Sequence, residues 1–138
     1  MQRIGFLGCG RVAQRQMEVC RDELKNARVT MVCDHVREKA DQRGGELGVP
    51  VTYDMRELFK SPEVDVISIM TESGNHAEHA RLALEAGKHV FVEKPPALIP
   101  SQVIELEKMA KSKGLMYAII FQNRFNPAMK ILKKTFDA

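Results

Sequence analysis

The sequence has no tryptophan, few aromatic residues, only three cysteines and no large excess of either charge. Each scarcity removes a class of protein. Cys9, Cys20 and Cys33 are odd in number, lack metal-ligand spacing and sit inside apolar runs, which argues against a disulfide framework or a structural zinc site. Buried reduced thiols are the expectation, and with them a reducing, cytoplasmic setting. No stretch approaches the roughly 18 apolar residues of a membrane span, and the N-terminus shows no long apolar segment followed by a cleavage site. The 21 basic and 18 acidic residues leave a formal charge of +3, too small and too scattered to indicate a nucleic-acid or membrane surface. Internal repeats, low-complexity stretches and flexible linkers are also missing.

What remains is ordinary for one soluble domain: 138 residues, 44% hydrophobic and 28% charged. Such a chain buries about two thirds of its unfolded surface and needs neither disulfide nor metal to hold a core. Short β-rich runs alternate with longer helical segments. Strands are predicted at 3–7, 28–33, 64–70, 89–92 and 115–121, with a weaker one at 49–52. Helices are predicted at 11–25, 37–47, 55–59, 75–86, 101–113 and from about Pro127. Asp54 and Ser101 have the chemistry of N-caps, Ser101 with Glu105 behind it; Gly87 suits a helix stop and Pro127 a first helical position. The alternation predicts an α/β fold, a doubly wound parallel sheet of order 3-2-1-4-5-6 with helices on both faces. Ligands then bind beyond the carboxyl ends of the strands.

Three motifs fall on that edge. Gly8-Cys9-Gly10-Arg11-Val12-Ala13 lies between the first strand and first helix, the context a dinucleotide site requires. Gly8 permits the turn, Gly10 lets a pyrophosphate approach, Ala13 allows close helix packing, and the helix N-terminus attracts the anion. Asp34 ends the second strand, 21 residues beyond Ala13, where an acid accepts hydrogen bonds from the adenosine ribose and repels a 2′-phosphate. NAD is therefore favoured over NADP. Arg37 is either a softening influence on that preference or a solvated helix-face residue.

The second motif, Thr71-Glu72-Ser73-Gly74-Asn75-His76, leads from the fourth strand into a helix that Ser73 or Asn75 is placed to cap, with His76 facing the cofactor. His76 and His79 stand three residues apart without a third ligand, so no metal is expected, and His79 reads as structural or solvent-facing. The third is Glu93-Lys94-Pro95-Pro96 at the end of the fifth strand. Lys94 there points into the crevice, able to exchange a proton with a substrate hydroxyl or to orient it as a donor. Pro95 invites a cis bond.

Gly8-Cys9-Gly10-Arg11-Val12-Ala13, Asp34, Thr71 with His76, and above all Ala86-Gly87-Lys88-His89-Val90-Phe91-Val92-Glu93-Lys94-Pro95 resemble the nucleotide-binding half of the Gfo/Idh/MocA oxidoreductases. Phe121-Gln122-Asn123-Arg124-Phe125-Asn126-Pro127-Ala128-Met129 is similar to their nucleotide-sugar 3-dehydrogenase branch. Two local departures stand out: Glu72 where relatives often have proline, and Pro96 where leucine or methionine is common.

The resemblance implies hydride exchange between NAD(P) and a sugar or polyol hydroxyl. Lys94 would be catalytic and touch both cofactor and substrate. Gly8, Gly10, Arg11, Val12, Asp34, Thr71, Asn75, His76, Glu93 and Gln122 would border the cofactor, and Asn123 and Arg124 would approach the nicotinamide or substrate. It further implies a dinucleotide domain at residues 1–122 and a connecting segment at 123–138, leading to a second domain outside this chain. That domain would hold the family's catalytic Asp and His, most substrate contacts and a homo-oligomer interface, so cofactor binding with little turnover is expected of these residues alone. A non-enzymatic cofactor sensor, signalling through the apolar stripe Met129, Leu132 and Phe136 opposite Lys130, Lys133 and Lys134, is the alternative; Glu93-Lys94-Pro95 favours the enzyme.

Overall fold

The computed structural model describes residues 1–137. Six parallel strands, β1 (Gln2–Leu7), β2 (Ala27–Cys33), β3 (Val51–Thr52), β4 (Val66–Ile69), β5 (His89–Glu93) and β6 (Tyr117–Ile120), form one sheet in the order β3-β2-β1-β4-β5-β6. This is the doubly wound order expected from the alternation of elements. The connecting helices are α1 (Arg11–Asp22), α2 (Arg37–Leu47), α3 (Met55–Lys60), α4 (His76–Glu85) and α5 (Pro100–Ser112), followed by α6 (Pro127–Phe136).

Side-chain alternation along the strands sorts the apolar residues into two cores, one on each face of the sheet. Ile4, Phe6, Val32 and Val66 pack against Ala13 and Met17 of α1 and Ala40 of α2. Leu7, Cys33, Ile67, Ile69, Val90 and Val92 pack against Leu58 of α3, Ala80 and Leu84 of α4, and Leu106 and Ala110 of α5. All three cysteines are buried and free, and burial pushes the thiols of Cys9 and Cys33 up to about 12. They behave as small apolar residues.

Several helix boundaries follow the sequence signals. Asp54 caps α3 by accepting from the Arg56 N–H at 2.9 Å, Gly87 follows α4 with φ +79°, and Pro127 opens α6 while Asn126 accepts from the Ala128 N–H. Others differ. Pro100 starts α5 one residue early because its fixed φ and missing N–H suit the first helical position; Ile99 then occupies the cap and Ser101 lies inside the helix. The stretch predicted as one helix from residue 75 begins as a tight 3-10 turn at Ser73–Asn75. Neither Ser73 nor Asn75 caps α4 with its side chain. The α6 stripe does not fold back onto the domain: Met129, Leu132 and Phe136 are 46%, 48% and 81% exposed.

At the amino end of the sheet a forked ion pair joins β1 to the residue before β4. Arg3 donates from Nε and Nη2 to Asp65 at 2.9 and 2.7 Å, while its backbone N–H reaches the same carboxylate. The guanidinium holds the Asp65 carboxyl down at about 2, against 3.8 ordinarily. Because the folded-state value is depressed, this contribution is present above pH 3.8 and disappears as pH falls through about 2. Both side chains are about one third exposed, so solvent screening keeps the pair modest. Urea unfolding at pH 7 should show Asp65→Asn less stable than wild type by about 0.5–1 kcal/mol. The difference should vanish below pH 2.

Candidate functional site

The carboxyl ends of β1, β2, β3 and β4 surround a cavity of about 380 Å³. Gly8, immediately after β1, has φ +96°, and a Cβ there would stand 2.7 Å from the Met70 carbonyl oxygen. Only glycine fits that turn. Gly10 differs: its backbone is extended, and a Cβ would project into open space. Gly10 lines the cavity and occupies the N-cap of α1 without a side-chain cap, so the N–H groups of the first helical turn are available to an anion. These features fit the pyrophosphate of a dinucleotide.

Asp34 closes the opposite wall and is 8% exposed. One carboxylate oxygen accepts from the Cys9 N–H at 2.8 Å and the other from the Val36 N–H at 2.9 Å. The acid thus ties the glycine turn to the end of β2. Each oxygen retains acceptor capacity for a further partner. Arg37 lies 4.1 Å from the centroid of the Tyr53 ring, and the Tyr53 hydroxyl donates to Asp41 at 2.7 Å. Arg37 is exposed on the first turn of α2.

A second cavity, about 260 Å³, opens at the ends of β5 and β6. It is lined by Lys94, Phe121, Gln122, Asn123, Arg124 and Met129. The Lys94-Pro95 peptide is cis, as the sequence invited. Glu93 is buried and its carboxylate accepts from the Lys94 N–H at 3.0 Å. The Lys94 side chain is exposed.

His76 joins the two regions. It is 1% exposed, with Nδ1 2.7 Å from the Pro95 carbonyl oxygen and Nε2 2.8 Å from the Thr71 carbonyl oxygen. A neutral imidazole donates from only one nitrogen at a time. His76 therefore sits beneath both loops instead of on the cavity wall where the sequence placed it. His79, read as structural or solvent-facing, is half-buried and lines the first cavity, its Nδ1 3.0 Å from the Thr71 hydroxyl. Burial and neighbouring His76 lower its affinity for a proton.

The site residues read from the sequence thus divide into three groups. Gly8, Gly10, Asp34, Thr71 and Asn75 line the first cavity; Lys94, Gln122, Asn123 and Arg124 line the second. Arg11 and Val12 are exposed on the first turn of α1 outside both walls, and His76 and Glu93 are buried behind them. His35, Lys39, Tyr53, Met55 and His79 line the first cavity without having been singled out for it. The signal for His35, Lys39, Tyr53 and Met55 was their place just past β2 and β3, since every strand of an open α/β sheet delivers its next residues to this edge. Among the described residues no group of three or more His, Cys, Asp or Glu is arranged to hold a metal, and no helix is long and apolar enough to cross a membrane.

Comparison with known proteins agrees with this geometry. The chain is 29% identical over 99% of its length to scyllo-inositol 2-dehydrogenase (NAD(+)) of Bacillus subtilis (strain 168), of which it covers 40%. It superposes on scyllo-inositol dehydrogenase of Lactobacillus casei, solved with NAD(H) and scyllo-inositol, with a TM-score of 0.90 and 27% identity, covering 99% of this chain and 41% of that one. The WlbA dehydrogenase of Chromobacterium violaceum, solved with NADH and UDP-GlcNAcA, gives 0.93 at 25% identity over 99% and 39% of the two chains. The chain spans about 40% of the length of these relatives. Neutral inositols and a nucleotide sugar both occur among them, so the nucleotide-sugar branch is one neighbour of several. The model of the oxidoreductase family with the NAD-binding Rossmann fold matches residues 2–121. With that match over most of its length, the chain belongs to the Gfo/Idh/MocA oxidoreductase family, and residues 2–121 are its NAD-binding Rossmann fold.

Proposed function

We propose that this chain is the cofactor half of an NAD-dependent dehydrogenase acting on a ring hydroxyl of a sugar or polyol, with Lys94 as the catalytic residue it contains. The observation that carries the reading is the placement of two cavities on one sheet edge, the first walled by Gly8, Gly10 and Asp34, the second by Lys94. When bound, NAD supplies the hydride acceptor. The glycine turn and the first turn of α1 hold the pyrophosphate, Asp34 accepts from the adenosine ribose and disfavours a 2′-phosphate, and Thr71 and Asn75 border the remainder. Gln122 borders the cofactor on the Lys94 side, and Glu93, buried behind that wall, acts through the Lys94 backbone.

Lys94 meets the reacting hydroxyl: as the unprotonated amine it would take up the hydroxyl proton when the substrate is oxidised, and as the ammonium it would return that proton in the reverse reaction. Asn123 and Arg124, on the same wall, position the substrate. His76 is a positioning residue: buried between the carbonyl groups of Thr71 and Pro95 and donating its one N–H to one of them, it sets the Lys94 segment against the loop after β4. The relatives support a cyclic, hydroxyl-rich substrate, since scyllo-inositol and UDP-GlcNAcA are the molecules bound in the two solved structures. Other substrate contacts and any subunit interface belong, on this reading, to the portion of the relatives' length that these residues do not span. Cofactor binding with little turnover follows for this chain alone.

Calorimetric titration should show saturable NAD binding that Gly10→Val and Asp34→Ala each weaken about tenfold or more, the first by filling the approach to the pyrophosphate. A wild-type chain silent at millimolar NAD would overturn the reading. In a protein that turns over substrate, Lys94→Ala should lower kcat by about 100-fold or more with little change in NAD affinity. His76→Ala should reduce kcat more than it raises KM for NAD. Equal effects on both would reduce His76 to a stabilising role.

A further inference from the structure

The order of the strands lays out a ligand's path along the sheet edge. The ends of β2, β1 and β4 stand side by side and deliver Asp34, the glycine turn and Thr71 in that succession, with Lys94 after β5 next in the row. Thr71 adjoins the glycine turn directly: its backbone nitrogen is 3.0 Å from where a Gly8 Cβ would stand. A dinucleotide with its adenosine ribose at Asp34 and its pyrophosphate at the turn therefore brings its second ribose, the one that carries the nicotinamide, to Thr71.

Two histidines of α4, three positions apart on one helix face, hold Thr71 from different sides. Nε2 of His76 is 2.8 Å from the Thr71 carbonyl oxygen, and Nδ1 of His79 is 3.0 Å from the Thr71 hydroxyl. Both ring nitrogens of His76 face carbonyl oxygens, so neither is open to a metal that the pair would share.

The scaffold needs only one of these contacts. His76 is buried and fixes the loop after β4 through its backbone. The Thr71 hydroxyl and the His79 ring are partly buried and both residues line the first cavity, where water satisfies a free hydroxyl at little cost. A bond that adds little to the fold but aligns a hydroxyl on a cavity wall serves a ligand. His79 takes one hydrogen-bonding position of that hydroxyl, stops its rotation and leaves the rest of its capacity to the cavity. Burial and neighbouring His76 lower the affinity of His79 for a proton against the opposing pull of Glu72 and Glu78, so the ring does this near pH 7 without adding a charge.

We propose that His79 is a positioning residue for the cofactor: it aims the Thr71 hydroxyl at a hydroxyl of the nicotinamide-side ribose, and so sets the end of NAD that lies toward Lys94. The inference rests on the cofactor reading given above.

The test compares ADP-ribose, which carries the second ribose, with ADP, which ends at the pyrophosphate. Each is titrated calorimetrically into wild type and into the Thr71→Val, His79→Phe and His79→Asn variants. Thr71→Val and His79→Phe should each weaken ADP-ribose about three- to tenfold more than they weaken ADP. His79→Asn keeps a polar atom near the position of Nδ1 and should restore most of that difference. The double variant Thr71→Val, His79→Phe should lose no more than either single one, because both act through one bond. Circular dichroism reports whether His79→Phe folds; the near-isosteric Thr71→Val decides the matter if it does not. Equal losses for the two ligands in folded variants, no loss for either, or an asparagine variant as impaired as the phenylalanine one would overturn the proposal and leave His79 a residue of the scaffold. A wild-type chain that binds neither ADP nor ADP-ribose at millimolar concentration would defeat the cofactor reading itself, and the proposal with it.

Discussion

The site depends on one buried carboxylate. Asp34 lies where the end of β2 meets the glycine turn after β1, and it accepts a backbone N–H from each side of that junction. Without it the Cys9 N–H would be left in a buried position with no acceptor, at a cost of about 1–3 kcal/mol. The positive φ at Gly8 and its close approach to the Met70 carbonyl are the other half of the same construction. The residue proposed to meet a ligand's ribose is thus also part of the scaffold that shapes the pocket, so the turn and the acid form one unit.

A second constraint acts across the sheet. Parallel strands place their carboxyl ends along a single edge, which brings loops distant in sequence into one row. His76 spans two of them, and its near-complete burial makes the hydrogen bond it donates costly to lose. The cofactor side and the Lys94 side are therefore connected by a ring that touches backbone at both ends. This differs from a direct cofactor contact, and the difference is visible only because the ring points inward.

Much of the fold was legible because each level of the sequence pointed the same way. The β-rich runs and helical segments alternate without a gap, the glycine motif sits between a strand and a helix, and crossover handedness leaves one sheet order. The misreadings lie where neighbours compete. Ser101 has cap chemistry, but Pro100 claims the first helical position; Asn75 sits at the start of α4, but the tight turn before it leaves its side chain without a capping bond. For His79, read as structural or solvent-facing, the half-buried ring beside Thr71 fits the structural alternative, which a three-residue histidine spacing could not decide because it carries no information about burial. The turn of α4 that carries it beside Thr71 supplies that information.

Residue types and spacing were enough for the identity of the dinucleotide turn, the acid at the end of β2 and the lysine after β5, because backbone freedom, charge and strand position are written locally. Orientation was not. That His76 faces two carbonyl groups, that Asp34 ties the glycine turn to the end of β2, and that Arg124 and Lys130 join one groove with the lysines at the end of α6 follow only from packing. Linear spacing says which residues reach the edge of the sheet; the placement of each helix and turn decides whether a side chain points into a cavity, beneath it, or along its rim.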